Sequence, residues 1–441
     1  MFANRLLFVC LALFIAADAW AGLDIQRWTT PQGARVYFVE NHDLPMLDVN
    51  VGFAAGSAYD SPEKAGLGGL TQSLMSLGAG AWNEQQVAER LADVGAQMGG
   101  YFEQDRAGFT LRTLSSAKER DQALSVLDAV LARPAFPEAV LEREKARAIA
   151  GLKEAATKPE YLADRAFTAA IYPGHPYGVP ADGSIETVAK LTRADLVAFH
   201  DRYYRAADMA VAIMGDIDRA GAEKLATSLA ADLPQGAAPL PLPRVADLAA
   251  GRQLVIPHPA SQSHILIGQP GMTRDDPDYF PLLVGNYVLG GGGFDSRLIK
   301  EVRQKRGLSY SVYSYFMPLA DKGPFQLGLQ TRREATDEAL KVVRDTLTRY
   351  LAEGPTDAEL KQAKDNLVGG FPLRLDSNGK ILSYLAMMDF YRLPPDWLDT
   401  YPKKVAAVTR EEVVKAMRAR LKPANMVTVI VGGQRGTGDG K

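Results

Sequence analysis

The sequence has one cysteine, Cys10, and five histidines in 441 residues. A lone cysteine excludes an internal disulfide, so stability has to come from packing. The histidines, His42, His175, His200, His258 and His264, are scattered. No two stand four residues apart, the spacing that sets two imidazoles on one helical face around a metal. An excess of charge of one sign is missing too: 50 Lys+Arg face 52 Asp+Glu, a net charge of -2. That balance argues against nucleic acid as a main partner. No apolar run reaches the roughly 20 residues that span a bilayer. Gly290–Gly293 lacks the Lys-Ser/Thr that would make it a phosphate loop, so a tight turn is expected there. Ser73 has no histidine near it in sequence, which speaks against a serine nucleophile.

The first residues read as an export signal. Arg5 precedes the apolar run Leu6–Ala17, and Ala19-Trp20-Ala21 is a small-x-small cleavage site. Residues 1–21 are therefore expected to be a signal peptide cleaved after Ala21, with a periplasmic or otherwise exported product. Val9 before Cys10 speaks against lipid attachment. The chain beyond the signal is long enough for two domains with large cores.

The strongest organisational signal is a duplication. Val188–Gly215 aligns without a gap on Val405–Gly432, and Thr192, Arg193, Ala207, Met209 and Gly215 recur among the identities. Each copy reads as a helix capped by Thr192 or Thr409, followed by a buried strand, Met209–Met214 or Met426–Val431. Leu141–Gly151 matches Leu360–Gly370, and Ala55–Pro62 resembles Pro270–Pro277. Between the halves, residues 233–249 begin with a proline-rich stretch typical of an extended linker. The expected fold class is α+β: two homologous domains, 22–232 and 250–433, each an antiparallel-rich sheet with helices on one face. Residues 434–441 read as a flexible tail. Alternation marks strands at Arg35–Asn41, Leu47–Ala54, Ser263–Gly268 and Leu308–Phe316. Helices are expected at Glu84–Val94 and at Thr336–Leu351, the latter capped by Thr336.

One segment carries chemistry. Asp295–Tyr310, DSRLIKEVRQKRGLSY, reads as a helix with a capped start and a stop at Gly307. Asp295 or Ser296 is the expected cap. Arg303 and Tyr310 stand seven apart across the stop, and a cation beside a phenol can bind a developing oxyanion. Taken singly, each has an ordinary role. A cation in a last helical turn answers the helix dipole, which also accounts for Lys305 and Arg306. Tyr310, in register with Leu308, Val312 and Phe316, reads as core.

Together, the repeat order, SRLIKEVRQKRGLSYS, YPGHPYG at Tyr172–Gly178 and GSAYDSPEKAGL resemble the pitrilysin/insulinase family of zinc peptidases over nearly the whole chain after the signal. The branch most similar is built from paired half-size subunits. The family's H-x-x-E-H helix binds zinc through its two histidines, with the glutamate as general base. Aligned here, the histidine positions fall on Gly69 and Ser73, the glutamate on Gln72, and a distant glutamate ligand on Gly151. Glycine offers no ligand, and glutamine cannot take a proton from water. The resemblance therefore implies a chain that binds no zinc or other cofactor of its own. In paired members, one subunit holds the metal and the other sends an arginine and a tyrosine to the scissile carbonyl, and Arg303 and Tyr310 match that spacing. The resemblance also places Gln97–Phe102 where catalytic halves pair an edge strand with substrate backbone, and Gly99 and Gly100 would leave that backbone accessible, but a simple hairpin is the preferred reading. His175, between two prolines, reads as a packing residue.

The implied function is that of a non-catalytic subunit in an exported heterodimeric zinc metallopeptidase. The implied partner is a homologous H-x-x-E-H subunit carrying the zinc, and the implied substrate a peptide or unfolded polypeptide. The alternative is a structural or peptide-binding homologue with no part in catalysis.

Overall fold

The computed structural model describes residues 23–432. The expected signal peptide, with Cys10, and the expected tail lie outside them. Two mixed sheets organise the chain. The first half supplies β1 (Gln26–Thr29), β2 (Arg35–Glu40), β3 (Met46–Phe53), a small hairpin of β4 (Gly78–Ala79) and β5 (Trp82–Asn83), then β6 (Gln97–Phe102), β7 (Ala107–Leu114) and β8 (Ala210–Gly215). The second supplies β9 (Arg252–Ile256), β10 (Gln262–Met272), β11 (Val312–Phe316), β12 (Gly323–Arg332) and β13 (Val427–Val431). The larger sheets run β1-β2-β8-β3-β7-β6 and β11-β12-β10-β13-β9. Apart from β1 the orders correspond strand for strand, each with one parallel pair, β2–β8 and β13–β9, among antiparallel neighbours. The edge strand β6 thus has β11 as its counterpart.

The duplication extends to local chemistry. Thr192 and Thr409 both form capping boxes, with Asp195 and Glu412. Arg193 donates to the carbonyls of Ala135 and Phe136, and its counterpart Arg410 to those of Glu353 and Pro355. Gly215 and Gly432 end the repeated strands at φ +132° and +98°, where a side chain would be strained.

Each half's own helices cover one face of its sheet: Val36, Phe38, Val49, Val51, Val211 and Ile213 point into a core of first-half residues. The opposite faces are covered by exchange. The Asn378–Phe390 helix of the second half lies on β2, β3 and β8, and the Pro159–Ile171 helix of the first half lies on β10 and β13. Tyr37, Val39, Ala212 and Met214 accordingly join the second-half core. Neither sheet is buried on both faces without the other half.

Polar contacts fasten the exchange. Asp105, in the β6–β7 loop, accepts from Tyr177 Oη (2.6 Å), Tyr391 Oη (2.9 Å) and the Ala320 N–H (2.8 Å). Burial raises its carboxyl above the usual range despite these donors. Asp389 faces Arg35 at 3.3 Å, and burial pushes its carboxyl to about 7. Residues 233–249 carry no regular element and are bound at several points, including His175 Nε2 to the Pro243 carbonyl at 2.8 Å.

Two local expectations are corrected. Thr336 is the first helical residue and not the cap; its hydroxyl bonds Ser263 Oγ at 2.7 Å. The strand expected from Leu308 begins only at Val312. Thr331 Oγ1 donates to the Leu308 carbonyl (2.6 Å) and Ser309 Oγ to the Ser311 carbonyl (2.6 Å), so residues 308–311 leave the ladder.

Candidate active site

Two places matter, one in each half. The first is the Leu67–Met75 helix, which carries Gly69, Gln72 and Ser73. Asp60 caps it by accepting from the Gly66 and Gly68 N–H groups, both at 2.8 Å. Burial nevertheless pushes that carboxyl up to about 7, against the opposing pull of the amides. Gly69 faces the Phe102 ring, and a Cβ there would lie 3.2 Å from it. Gln72 is buried and donates weakly to the Gly108 carbonyl at 3.4 Å, its amide pressed against β6 at Gly100. Ser73 Oγ donates back to the Gly69 carbonyl at 2.9 Å, an ordinary helical bond. Gly151 lies exposed on the neighbouring Glu138–Ala155 helix, with open space around its Cβ position.

This donor set does not fit zinc. Two glycines, a serine bonded to its own helix and a neutral amide supply neither charge nor a soft ligand. An aromatic ring stands where the first imidazole would project. Among the described residues, no three His, Cys, Asp or Glu side chains converge to hold a metal ion.

The second place is the end of the helical turn Ile299–Gln304. Its start is fixed by Ser296, whose Oγ donates to the Gly293 carbonyl at 2.8 Å and accepts from the Ile299 N–H at 3.5 Å. The winding is wider than α, with Lys305 N–H reaching the Lys300 carbonyl at 3.0 Å. Gly307, at φ +61°, makes the stop, and Leu308 N–H closes on the Val302 carbonyl at 3.0 Å. Arg297 anchors the helix through two bonds to Glu359, 2.9 and 2.7 Å. Burial opposes ionisation of Glu359, but Arg297 and the Thr356 N–H outweigh it and hold that carboxyl down at about 2. The tight turn expected over the four glycines is corrected: Gly290 and Gly291 end a wide helical turn, Tyr287–Gly291, Gly293 opens a short 3-10 turn, Gly293–Asp295, and Gly290 packs directly against Ser314.

The basic residues here divide sharply. Lys305 and Arg306 share the Glu301 carboxylate at 2.7 and 2.8 Å, so both are neutralised. Arg303 meets no carboxylate among the described residues. Its guanidinium lies 4.4 Å from the Tyr310 ring centroid and 5.0 Å from that of Phe294. Tyr310 is 82% exposed and Phe294 67%. The reading of Tyr310 as core fails, because residue 310 lies outside the strand and its ring faces solvent. Arg303 and Tyr310 are brought together; Gly69, Gln72 and Ser73 share a helix with Gly151 on the next. No hydrogen bond, ion pair or ring contact joins the two groups among the described residues.

The sequence reading missed Phe102, which covers Gly69, and Phe294, which flanks Arg303. Phe294 had one signal, a large apolar residue directly after four glycines. Phe102 had none, since its role depends on β6 folding back over the helix. His175 is a packing residue: Nδ1 accepts from the Tyr177 N–H at 3.0 Å.

The chain is a duplicated α+β fold with no metal-holding cluster among its described residues and, in the second half, an arginine beside an exposed phenol that meets no carboxylate among them. Comparison with known proteins agrees. A model of the insulinase peptidases, family M16, matches residues 35–182, and one of the peptidase M16 inactive domain matches residues 190–367. The solved structure of a peptidase M16 inactive domain from Pseudomonas fluorescens is 38% identical, covers 94% of this chain and 98% of its own, and superposes with a TM-score of 0.90. The chain belongs to the M16 family, the insulinase/pitrilysin peptidases. An uncharacterized zinc protease of Streptomyces coelicolor is 26% identical over 88% of this chain and 85% of its own. A protein described as a non-peptidase homolog in Helicobacter pylori is 25% identical over 91% and 92%. No helix among the described residues is long and apolar enough to cross a membrane.

Proposed function

We propose that this chain is the non-catalytic subunit of an exported heterodimeric metallopeptidase. Its partner is a homologous H-x-x-E-H chain that brings the zinc, and its substrate is a peptide or unfolded polypeptide. The observation that carries this reading is the contrast at one helix end. Lys305 and Arg306 are consumed by Glu301, while Arg303 keeps its donors free beside the exposed phenol of Tyr310. In the two-chain complex, Arg303 and Tyr310 Oη bind the carbonyl oxygen of the scissile bond and stabilise the oxyanion that develops on it. Such donors act on charge that grows in the transition state, so their loss lowers turnover more than binding.

The test is reconstitution. The full chain alone cleaves nothing and carries no stoichiometric zinc. Combined with its partner it restores cleavage, and Arg303→Ala or Tyr310→Phe lowers kcat while the complex stays intact by sedimentation. Full turnover in both variants would sink the assignment.

One observation favours the second reading, a peptide-binding homologue without a catalytic role. Among the described residues strand β6 pairs only with β7, which leaves its outer edge open to an added strand. Peptide binding to the chain alone, with both variants fully active in the complex, would select it.

A further inference from the structure

We propose that Phe294 is a third member of this site: a positioning residue for the Arg303 guanidinium, whose exposed ring also receives an apolar peptide side chain beside the bound carbonyl. The inference rests on the proposed role of Arg303 and Tyr310 and names the substrate class it favours. Two rings flank the guanidinium carbon, their centroids 5.0 and 4.4 Å from it. A ring that meets a guanidinium through its π-face takes up no N–H donor, so the donors of Arg303 remain available to a carbonyl oxygen.

Phe294 is not a stray apolar residue on a loose loop. Gly293 turns the backbone at φ +57°. Its carbonyl accepts from both the N–H and the Oγ of Ser296, and the Phe294 carbonyl accepts from Gln304 Nε2 at 3.2 Å. The loop is thereby tied to the same helix that carries Arg303, so ring and guanidinium move together. Holding a phenylalanine two-thirds exposed at such a fixed place leaves apolar area available to a ligand. Aromatic residues around an arginine are also the composition enriched at contact centres.

The test uses the two-chain complex and a pair of peptides that differ only beside the cleaved bond, leucine in one and alanine in the other. Phe294→Ala is expected to lower kcat about 2- to 5-fold on both, the loss of an exposed cation–π contact. It should raise KM about 10-fold on the leucine peptide alone. Phe294→Leu should keep KM but not kcat. In an Arg303→Ala background, Phe294→Ala should lower kcat no further, since it acts through Arg303; an additive loss would overturn the positioning role. Wild-type behaviour of Phe294→Ala, while Arg303→Ala and Tyr310→Phe are impaired, would overturn this inference alone and leave the functional reading standing. Full activity of Arg303→Ala and Tyr310→Phe would remove both. A weaker complex on Phe294→Ala, with unchanged kinetics at saturating partner, would instead make the ring an interface residue and overturn the proposal. If Phe294→Ala melts early, Phe294→Leu and Phe294→Trp carry the same comparison.

Discussion

The Leu67–Met75 helix and the Ile299–Gln304 turn belong to opposite halves of one duplicated chain, and they have diverged in opposite senses. In the first, the side chains are taken up by packing. Phe102 sits on Gly69, the Gln72 amide is turned into β6, and Ser73 bonds its own helix. In the second, packing has been withheld from chemistry. Arg303, Tyr310 and Phe294 stay at the surface although structural partners for a cation are near, and Lys305 and Arg306 use them. Under the proposed function, the absence of a metal site and the presence of an oxyanion site would be separable within one fold. A glycine is readily covered by a neighbouring ring, whereas a cation unpaired among the described residues and beside Glu301 has no structural reason to remain so.

The largest effect should break the comparison at its second member. Arg303→Ala is expected to lower turnover of the two-chain complex roughly a hundred- to thousand-fold. Lys305→Ala, two residues away, should stay within about 2-fold. Equal losses in steady-state kinetics would mean that the helix end works by general positive charge.

A graft addresses the first member. Gly69→His, Gln72→Glu and Ser73→His together restore the motif in sequence but should not restore stoichiometric zinc, because Phe102 blocks the first imidazole and Gly151 supplies no ligand. Overpacking against that ring should cost about 1–3 kcal/mol in urea unfolding. Gly151→Glu should be tolerated, since its surroundings are open. Full metal occupancy of the triple variant, read by elemental analysis, would contradict the packing argument.

The two regions should also answer pH in opposite directions. The carboxyl of Asp60 is raised from 3.8 to about 7 by burial, so the folded state binds its proton more tightly than the unfolded one. Its contribution is fully present below about pH 4 and is lost as pH rises toward 7. Glu359 is lowered from 4.5 to about 2, and Glu301 is also lowered, chiefly by its bond to Lys305. Their contribution is present above about pH 4.5 and is lost as pH falls toward 2. Amide exchange, corrected for its intrinsic pH dependence, should show residues 67–75 loosening between pH 4 and 7 and residues 299–304 loosening below pH 4.5. Asp60→Asn should flatten the first response only.

The smallest expected effect lies in the fastening between halves. Tyr391→Phe removes one of three donors to Asp105 and should cost about 1–2 kcal/mol in global stability. Because each sheet borrows a helix from the other half, unfolding should remain a single transition. A separate early transition in calorimetry would show that the halves open independently.

Much of this organisation was legible in the chain because it is local or repeated. The Thr192 and Thr409 caps, the buried strands after them and the glycine stop at Gly307 each depend on a few neighbouring residues, and the structure shows all of them. The correspondence of the halves came from self-similarity. The absence of an H-x-x-E-H motif is likewise a matter of residue identity. Other features needed the tertiary arrangement. The exchange of Pro159–Ile171 and Asn378–Phe390 joins elements far apart along the chain, and no periodicity encodes which sheet a helix covers. Tyr310 left its expected strand because Thr331, on β12, captured the Leu308 carbonyl. Which of three neighbouring cations stays free was decided by where the wide turn aims Glu301. Sequence alone determined that this chain has paired halves, no motif for zinc and an arginine seven residues before a tyrosine, because identity and spacing are written along the chain. Only the tertiary structure decided that Arg303 is unpaired among the described residues and faced by two exposed rings, because pairing and exposure depend on every element packed around a side chain.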